Sequence, residues 1–335
     1  MGLTTLDVIH RVGQAPARNQ KVTALRQDVS AGGPAANAAV TVAVLSSPGD
    51  AACGVVLITA LGEGPVAAAA RADLDARGVT VLDCVPDSGE FDLAVSAVMV
   101  DDATGERSVT SPDAGAVTVA GPSHAELDAW AQRYGVPQAI LLDGHHPEIA
   151  RAVLAWALTL DVPPSIVLDA GRWRPVFADL IPHADVVAMS ADFAIPRSQN
   201  TVQSALKMGA KAVVVTHGGD AVEWWVAEAD EIPAGYDNAE SGMAETGMSE
   251  SGTAATTLAE TGMAGSGKPT AGTIAVTQVP VQDTLGAGDA FHGALVVALA
   301  EQARQLAKSH EDNTPEADQH RADQHRADQH HPDPH

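Results

Sequence analysis

Three consecutive stretches, AILLD at 139–143, PEIARAVLAWALTL at 147–160 and SIVLD at 165–169, read as strand, helix, strand. The two short runs are apolar on both faces and an Ala-rich segment of helical length separates them, the pattern of a parallel sheet covered on both sides. Working outward, runs at 55–60, 185–189 and 212–216 are further candidate strands, and 35–45, 65–77 and 202–208 are candidate helices. The expectation is an α/β fold in which ligands gather beyond the carboxyl ends of the strands. Residues 91–109 differ: partial alternation on either side of Asp101-Asp102-Ala103-Thr104-Gly105 predicts an antiparallel hairpin, either an edge decoration or a lid over a site.

The chain has 335 residues, 45% of them hydrophobic and only 3% aromatic, so its core must be built from small and branched aliphatic side chains. Two segments read as poor core material. Residues 234–272 are rich in Gly, Ser, Thr and Glu and contain the near-repeats AESGM, AETGM and AETGM, a composition that predicts a disordered insert. A second segment begins near Glu301, with 309–335 assigned as its His/Asp-rich tail, and ends in ADQHR, ADQHR and ADQHH; it is expected to be disordered, and its spaced His and Asp would hold metal only weakly without an enclosing fold. The remainder, 1–233 with 273–308, is 269 residues, or 261 with the tail counted from Glu301, suited to one domain.

Nineteen Lys and Arg against 43 Asp and Glu give a formal charge of −24, which excludes broad electrostatic binding to nucleic acid. The insert and the final 35 residues each carry −4, so most of the acidity belongs to the body. Two cysteines, Cys53 and Cys84, cannot staple such a chain, no 18-residue apolar stretch calls for a membrane span, and MGLTTLDVIHRV lacks the pattern of a secretory signal. A cytoplasmic location without nucleic-acid or membrane partners is expected.

The chemistry concentrates in DTLGAGDAF at 283–291, followed by the helix-forming run from His292. Small residues at Gly286, Ala287 and Gly288 let backbone N–H groups approach a ligand, and the following helix directs its positive dipole end to the same place, so the segment is an anion cradle. Asp289 has two readings: a first-turn carboxylate that complements the dipole, or a base that takes a hydroxyl proton while the cradle holds a transferred phosphoryl group. The nonapeptide alone does not choose between them.

DTLGAGDAF resembles the C-terminal signature of the ribokinase-like, PfkB-type carbohydrate kinases, ketohexokinases included, and other motifs follow in the expected order. Ala31-Gly32-Gly33-Pro34-Ala35-Ala36-Asn37 resembles the family's Gly-Gly-x-x-x-Asn sugar-binding segment. Leu6-Asp7-Val8-Ile9 resembles its first strand end, Gly105-Glu106-Arg107 falls where the family has its β-lid, and Thr216-His217-Gly218 resembles a nucleotide-side Thr-x-Gly. The resemblance implies a three-layer α/β/α ribokinase-like fold with a mostly parallel sheet and a small β-lid at about 91–110. It also implies ATP and Mg2+ as cofactors, transfer to a hydroxyl of a small ketose or pentose such as fructose or ribose, and dimerisation through the lid. Asp289 would be the base and Gly286, Ala287 and Gly288 the phosphate cradle. Asp7, Gly32, Gly33 and Asn37 would bind sugar, and Thr216, Gly218, Thr284 and Arg107 would lie on the nucleotide side.

The residue types agree: Asp7 can accept several hydroxyl donors, Asn37 can donate and accept, and paired glycines let a sugar lie against bare backbone. There are departures. Where relatives carry Asn-x-x-Glu near the metal, this chain has Ser190-Ala191-Asp192-Phe193, so no protein ligand to metal is assigned. Relatives also continue with further helices at the adenine pocket, where this chain turns to His/Asp repeat. Two other readings therefore stand: a nucleoside or sugar-phosphate kinase, for which Arg11, Arg18 and Lys21 are the cations to place, and a catalytically silent sugar-binding protein. Gly262 to Lys268 fits GxxxxGK, but Pro269 replaces the hydroxyl residue that binds magnesium, and His145-His146 reads as a loop pair.

Overall fold

A computed structural model describes residues 1–46, 54–86, 91–112, 117–227, 270–279, 281 and 283–312. Strands are β1 (Thr5–Val12), β2 (Arg26–Gly32), β3 (Val56–Thr59), β4 (Thr80–Asp83), β5 (Val95–Asp101), β6 (Arg107–Thr110), β7 (Ala139–Leu142), β8 (Ser165–Ala170), β9 (Val186–Ser190), β10 (Ala212–Thr216), β11 (Val222–Val226) and β12 (Thr270–Ile274). Helices are α1 (Pro34–Leu45), α2 (Pro65–Ala76), α3 (His124–Tyr134), α4 (Pro147–Ala157), α5 (Phe177–Leu180), α6 (Thr201–Lys207) and α7 (Ala287–Asp312).

The expected parallel sheet runs β7-β8-β9-β10 and is extended by β11 and β12, both antiparallel. Its residues are apolar on both faces because both are covered. Leu142, Leu168, Val187 and Val213 point to one side, into a core with Ile149 and Val153 of α4, Leu206 of α6 and Phe177. Leu141, Val167, Ala188 and Val214 point to the other, against Ala38 of α1 and Leu295 of α7. This is a three-layer α/β/α arrangement. Local signals place the helices: Pro147 occupies the first turn of α4, Ser123 and Glu126 form a capping box at α3, and Asn200 caps α6 by accepting from Gln203 N.

Residues 1–3 lie between β3 and β7. The Met1 amino group donates to Leu141 O at 2.8 Å, Gly2 N to Ile58 O at 3.1 Å and Leu3 N to the buried Asp143 Oδ2 at 2.7 Å. That anchorage carries the chain into a separate four-stranded sheet, β2-β1-β5-β6. The hairpin expected at 91–109 is its β5-β6 half, while β1 and β2 supply the rest, so the lid sheet is twice as wide as the sequence indicated. Register places Asp7 opposite Ser30 and Ser96, and Arg11 and Arg107 both opposite Val100. These share one parity and hence one face. It is the covered face, since Asp7, Ser96, Val98 and Val100 are buried while Val29, Val95 and Ala97 of the other parity are exposed.

Two boundaries need correction. β12 begins at Thr270, inside the segment assigned to the insert, and pairs Gly272 with Trp224. A Cβ at Gly272 would fall 2.7 Å from that indole, so glycine there makes room for a ring and is not a sign of a structureless loop. Likewise α7 runs on to Asp312, past both Glu301 and 308. The rest of the insert to 269, the tail from 313, Cys53 and the GxxxxGK string lie outside the described residues.

Candidate active site

The Gly33-Pro34 step turns β2 into α1. Gly33 has φ +95°, and a Cβ there would meet Leu3 O at 2.6 Å, so glycine is required. On Gly32 a Cβ would fall 2.1 Å from Oδ2 of Asp7, whose other oxygen, Oδ1, accepts from Thr5 Oγ1 at 2.6 Å. Asn37 sits one turn into α1. Its side-chain amide donates to Oδ2 of Asp289 at 2.8 Å, across 252 residues of sequence. α1 and α7 approach closely enough for this because residue 293 is glycine: a Cβ would lie 2.6 Å from Ala38 O and 2.7 Å from Thr41 Cβ.

At the start of α7, Gly286 has φ +72° and accepts from Ala290 N at 2.8 Å, beginning the helix. No atom lies within 4 Å of the place a Gly288 Cβ would take, so that stretch of cradle backbone is open. Asp289 follows in the first turn, partly buried. Burial is the largest influence on its carboxyl and pushes its pKa up to about 6, with Asp169 adding in the same direction and the Asn37 and His292 contacts opposing. A carboxylate so placed is ionised at neutral pH yet holds a proton more readily than an exposed one, as a general base requires.

The lid face meets the signature from the other side. Arg107 donates to Thr284 Oγ1, and Arg11 forms an ion pair with Asp283. Asp102 lies 3.7 Å from Arg11 as well, so that cation is already neutralised. A cavity of about 550 Å³ opens here, lined by Met99, Asp101, Arg107, Ser108 and Thr284 among others. A slightly larger one, about 610 Å³, lies between β3 and β7 among Leu141, Trp130, Tyr134 and Trp156. It contains none of the residues named for chemistry, so the lid mouth is the better candidate for a substrate site.

Thr216 and Gly218 stand at the carboxyl end of β10, on the edge of the parallel sheet where the ends of β7, β8 and β9 also lie. Thr216 Oγ1 reaches Met189 O at 3.4 Å, Gly218 has φ +65° with open space beside it, and His217 contacts Glu223 at 2.9 Å. No contact joins Thr216 or Gly218 to Asp289 among the described residues, so the structure places these two on the shared edge without bringing them into the cluster. Ser190 donates to Gly171 O and Asp192 is exposed. His145 is a loop residue as expected: it pairs with Asp143 at 3.3 Å. Burial alone would raise the Asp143 carboxyl, but the nearby His145 ring and hydrogen bonds from the backbone N–H groups of His145 and Leu3 hold it well below the usual range.

Two residues that sequence reasoning did not name join the site. Asp169, at the end of β8, and His292, one turn beyond Asp289, are both buried, and Asp169 Oδ2 lies 3.0 Å from His292 Nδ1. That approach is off the N–H axis: among the described residues neither atom, nor His292 Nε2, has a hydrogen-bond partner. The contact is therefore electrostatic. Burial by itself pulls the ring pKa down, but Asp169 and Asp289 outweigh it and the net shift is upward. Donor atoms of Asp169, Asp289 and His292 all lie within 4.8 Å of one another. Magnesium demands oxygen ligands and keeps much of its water, so an imidazole in the set does not fit it. The signal available in sequence was the His three residues after Asp289, on the same helical face.

Comparison with known proteins bears on the fold and the family. Solved structures that resemble the chain include ribokinase from Thermotoga maritima (18% identity, TM-score 0.56, covering 90% of this chain and 84% of that one). Ribokinase from Arabidopsis thaliana in complex with ribose and ATP gives 19%, 0.53, 90% and 84%, and ribokinase from Giardia lamblia 14%, 0.61, 88% and 80%. At such identities the likeness establishes a ribokinase-like fold. No curated protein matches the chain. No helix among the described residues is long and apolar enough to cross a membrane. The family model for "pfkB family carbohydrate kinase" matches residues 1–234, well over half the sequence although it ends before the glycine-rich signature, and the chain belongs to that family of sugar kinases.

Proposed function

We propose that the protein transfers the terminal phosphoryl group of ATP to a hydroxyl of a small unphosphorylated sugar, a ketose or pentose, with Asp289 as the base. The observation that carries this reading is the hydrogen bond from Asn37 to Asp289. It joins the sugar-side segment to the cradle and holds one carboxylate oxygen, leaving the other for a substrate hydroxyl.

Asp7 and Asn37 orient the sugar against the bare backbone of Gly32 and Gly33. As the hydroxyl attacks, its proton passes to Asp289, and the amides of Gly286, Ala287 and Gly288 at the start of α7 accept the growing negative charge on the phosphoryl oxygens. In a body this acidic, a cradle of neutral backbone donors is the part that can receive a triphosphate. Arg107 reaches from the lid to Thr284 and is the cation available to the phosphates. Thr216, Gly218 and Thr284 border the nucleotide. Magnesium enters with ATP as its complex.

A sugar-phosphate substrate is disfavoured because it needs a free cation on the sugar side. Arg11 is engaged by Asp283 and Asp102, while Arg18 and Lys21 are exposed. The outer face of the lid, where Val29 and Val95 are exposed, is the surface offered to a second copy of the chain. The test is release of ADP with a panel of unphosphorylated ketoses and pentoses, run beside their phosphates and nucleosides. Turnover confined to the phosphates or nucleosides would overturn this choice of acceptor.

A further inference from the structure

The base and the two buried residues beside it, Asp169 and His292, have a composition that phosphoryl transfer does not explain. We propose that Asp169, Asp289 and His292 form a site for a divalent transition metal of the zinc class, and that the metal inhibits the enzyme by occupying its base.

His292 carries the argument. It is only 6% exposed, yet among the described residues neither ring nitrogen has a hydrogen-bond partner, nor has the Asp169 oxygen that lies 3.0 Å from Nδ1. Buried polar atoms are nearly always satisfied, and an imidazole whose Nδ1 meets a carboxylate only off axis, and whose Nε2 has no hydrogen-bond partner among the described residues, is placed for a ligand the protein groups do not supply. The geometry provides one. Asp289 and His292 stand at i and i+3 on α7, the carboxylate-x-x-His spacing by which helical bundles direct two ligands to one metal, and Asp169 closes the set from β8. One imidazole nitrogen and two carboxylates make three protein ligands with a fourth position open to water or a substrate oxygen, as zinc accepts. Two carboxylates in a poorly solvated pocket repel one another, and a dication relieves that repulsion. With its oxygens on a metal, Asp289 can no longer take the hydroxyl proton, so bound zinc and turnover exclude each other.

Binding rests on geometry alone; the inhibition rests also on Asp289 being the base, as proposed above. The full chain, stripped with chelator, is titrated calorimetrically with zinc chloride beside His292→Asn and Asp169→Asn. The His-rich tail is identical in all three, so the difference between them isolates this site. The expected result is a zinc-binding component weakened at least about tenfold in each variant and unaffected by millimolar magnesium. The zinc concentration that halves sugar-dependent ADP release should rise by a similar factor in His292→Asn. Zinc titrations that superimpose for all three proteins overturn the site. Should either variant fail to fold, wild-type crystals soaked in zinc decide the matter: anomalous density among the three side chains supports the proposal, and its absence there overturns it. Zinc bound at this place in a chain that makes no ADP from any sugar would keep the site and discard the kinase reading. Turnover that zinc at the same concentrations leaves unchanged would do the reverse for the inhibitory claim.

Discussion

The side-chain amide of Asn37 donates to Oδ2 of Asp289 at 2.8 Å, so the residue proposed to face the sugar and the residue proposed to take its proton are held by one bond. Replacing Asn37 with Ala removes the donor and leaves a charged oxygen without its partner. A hydrogen bond to a charged group contributes about 1.5–3 kcal/mol, and turnover should fall roughly 10- to 100-fold. The carboxyl pKa should rise further, because the Asn37 contact is what opposes burial. The acid limb of the pH–rate profile would then move to higher pH, and a profile that keeps its midpoint while activity drops would assign Asn37 to sugar contact alone.

The pH dependence follows from Asp289 itself. With its pKa pushed up to about 6, the wild-type rate should decline as pH falls through that value, well above the range of an exposed aspartate. The stability effect has the opposite sense. A carboxyl whose folded pKa exceeds its unfolded one binds its proton more tightly in the folded state, so its contribution is present at acid pH and is lost as pH rises through about 6. Above that pH the ionised group costs up to about 3 kcal/mol. Asp289→Asn should therefore unfold at higher denaturant concentration than wild type at pH 7.5, with the gap closing toward pH 4.

Gly293 sets the distance between α1 and α7. A Cβ there meets a carbonyl oxygen and a side-chain carbon below 3 Å, and neither is the far end of a flexible chain. Gly293→Ala should cost about 1–3 kcal/mol of stability despite the better helix propensity of alanine, and should lower turnover by separating Asn37 from Asp289. Chemical denaturation and a steady-state assay together check this; an alanine variant of unchanged stability and rate would show that the helices give way freely.

Gly32→Ala tests the sugar side. Its Cβ would enter the space of the Asp7 carboxylate, so Asp7 must rotate from its present position. The KM for sugar should rise tenfold or more while the KM for ATP changes little, measurable by varying each substrate in turn. Equal changes in both constants would mean that Gly32 supports the whole fold.

Much of this arrangement is legible in the sequence where chemistry is local. The runs at 139–143 and 165–169 are apolar at nearly every position because helices cover both faces, and that continuity marks a buried parallel strand. The cradle is legible because Gly286 to Gly288 and Asp289 lie within one turn. β2, RQDVSAG, and β12, TAGTI, lack apolar periodicity because each is the outermost strand of its sheet, and they could be read only from their partners. Asp169 and His292 were hidden for another reason. Each is ordinary alone, a strand-end aspartate and a helical histidine, and only the packing of α7 onto the sheet brings them to 3.0 Å.

Direct measurement of phosphorylated sugar formed from ATP by wild type and by Asp289→Asn, on the sugar that the panel selects, tests the central claim most directly. The account predicts ADP and sugar phosphate in equal amounts from wild type, and a rate lower by about 10² to 10⁴ or more in the variant with sugar binding by calorimetry largely retained. A variant that phosphorylates the sugar at the wild-type rate would contradict it.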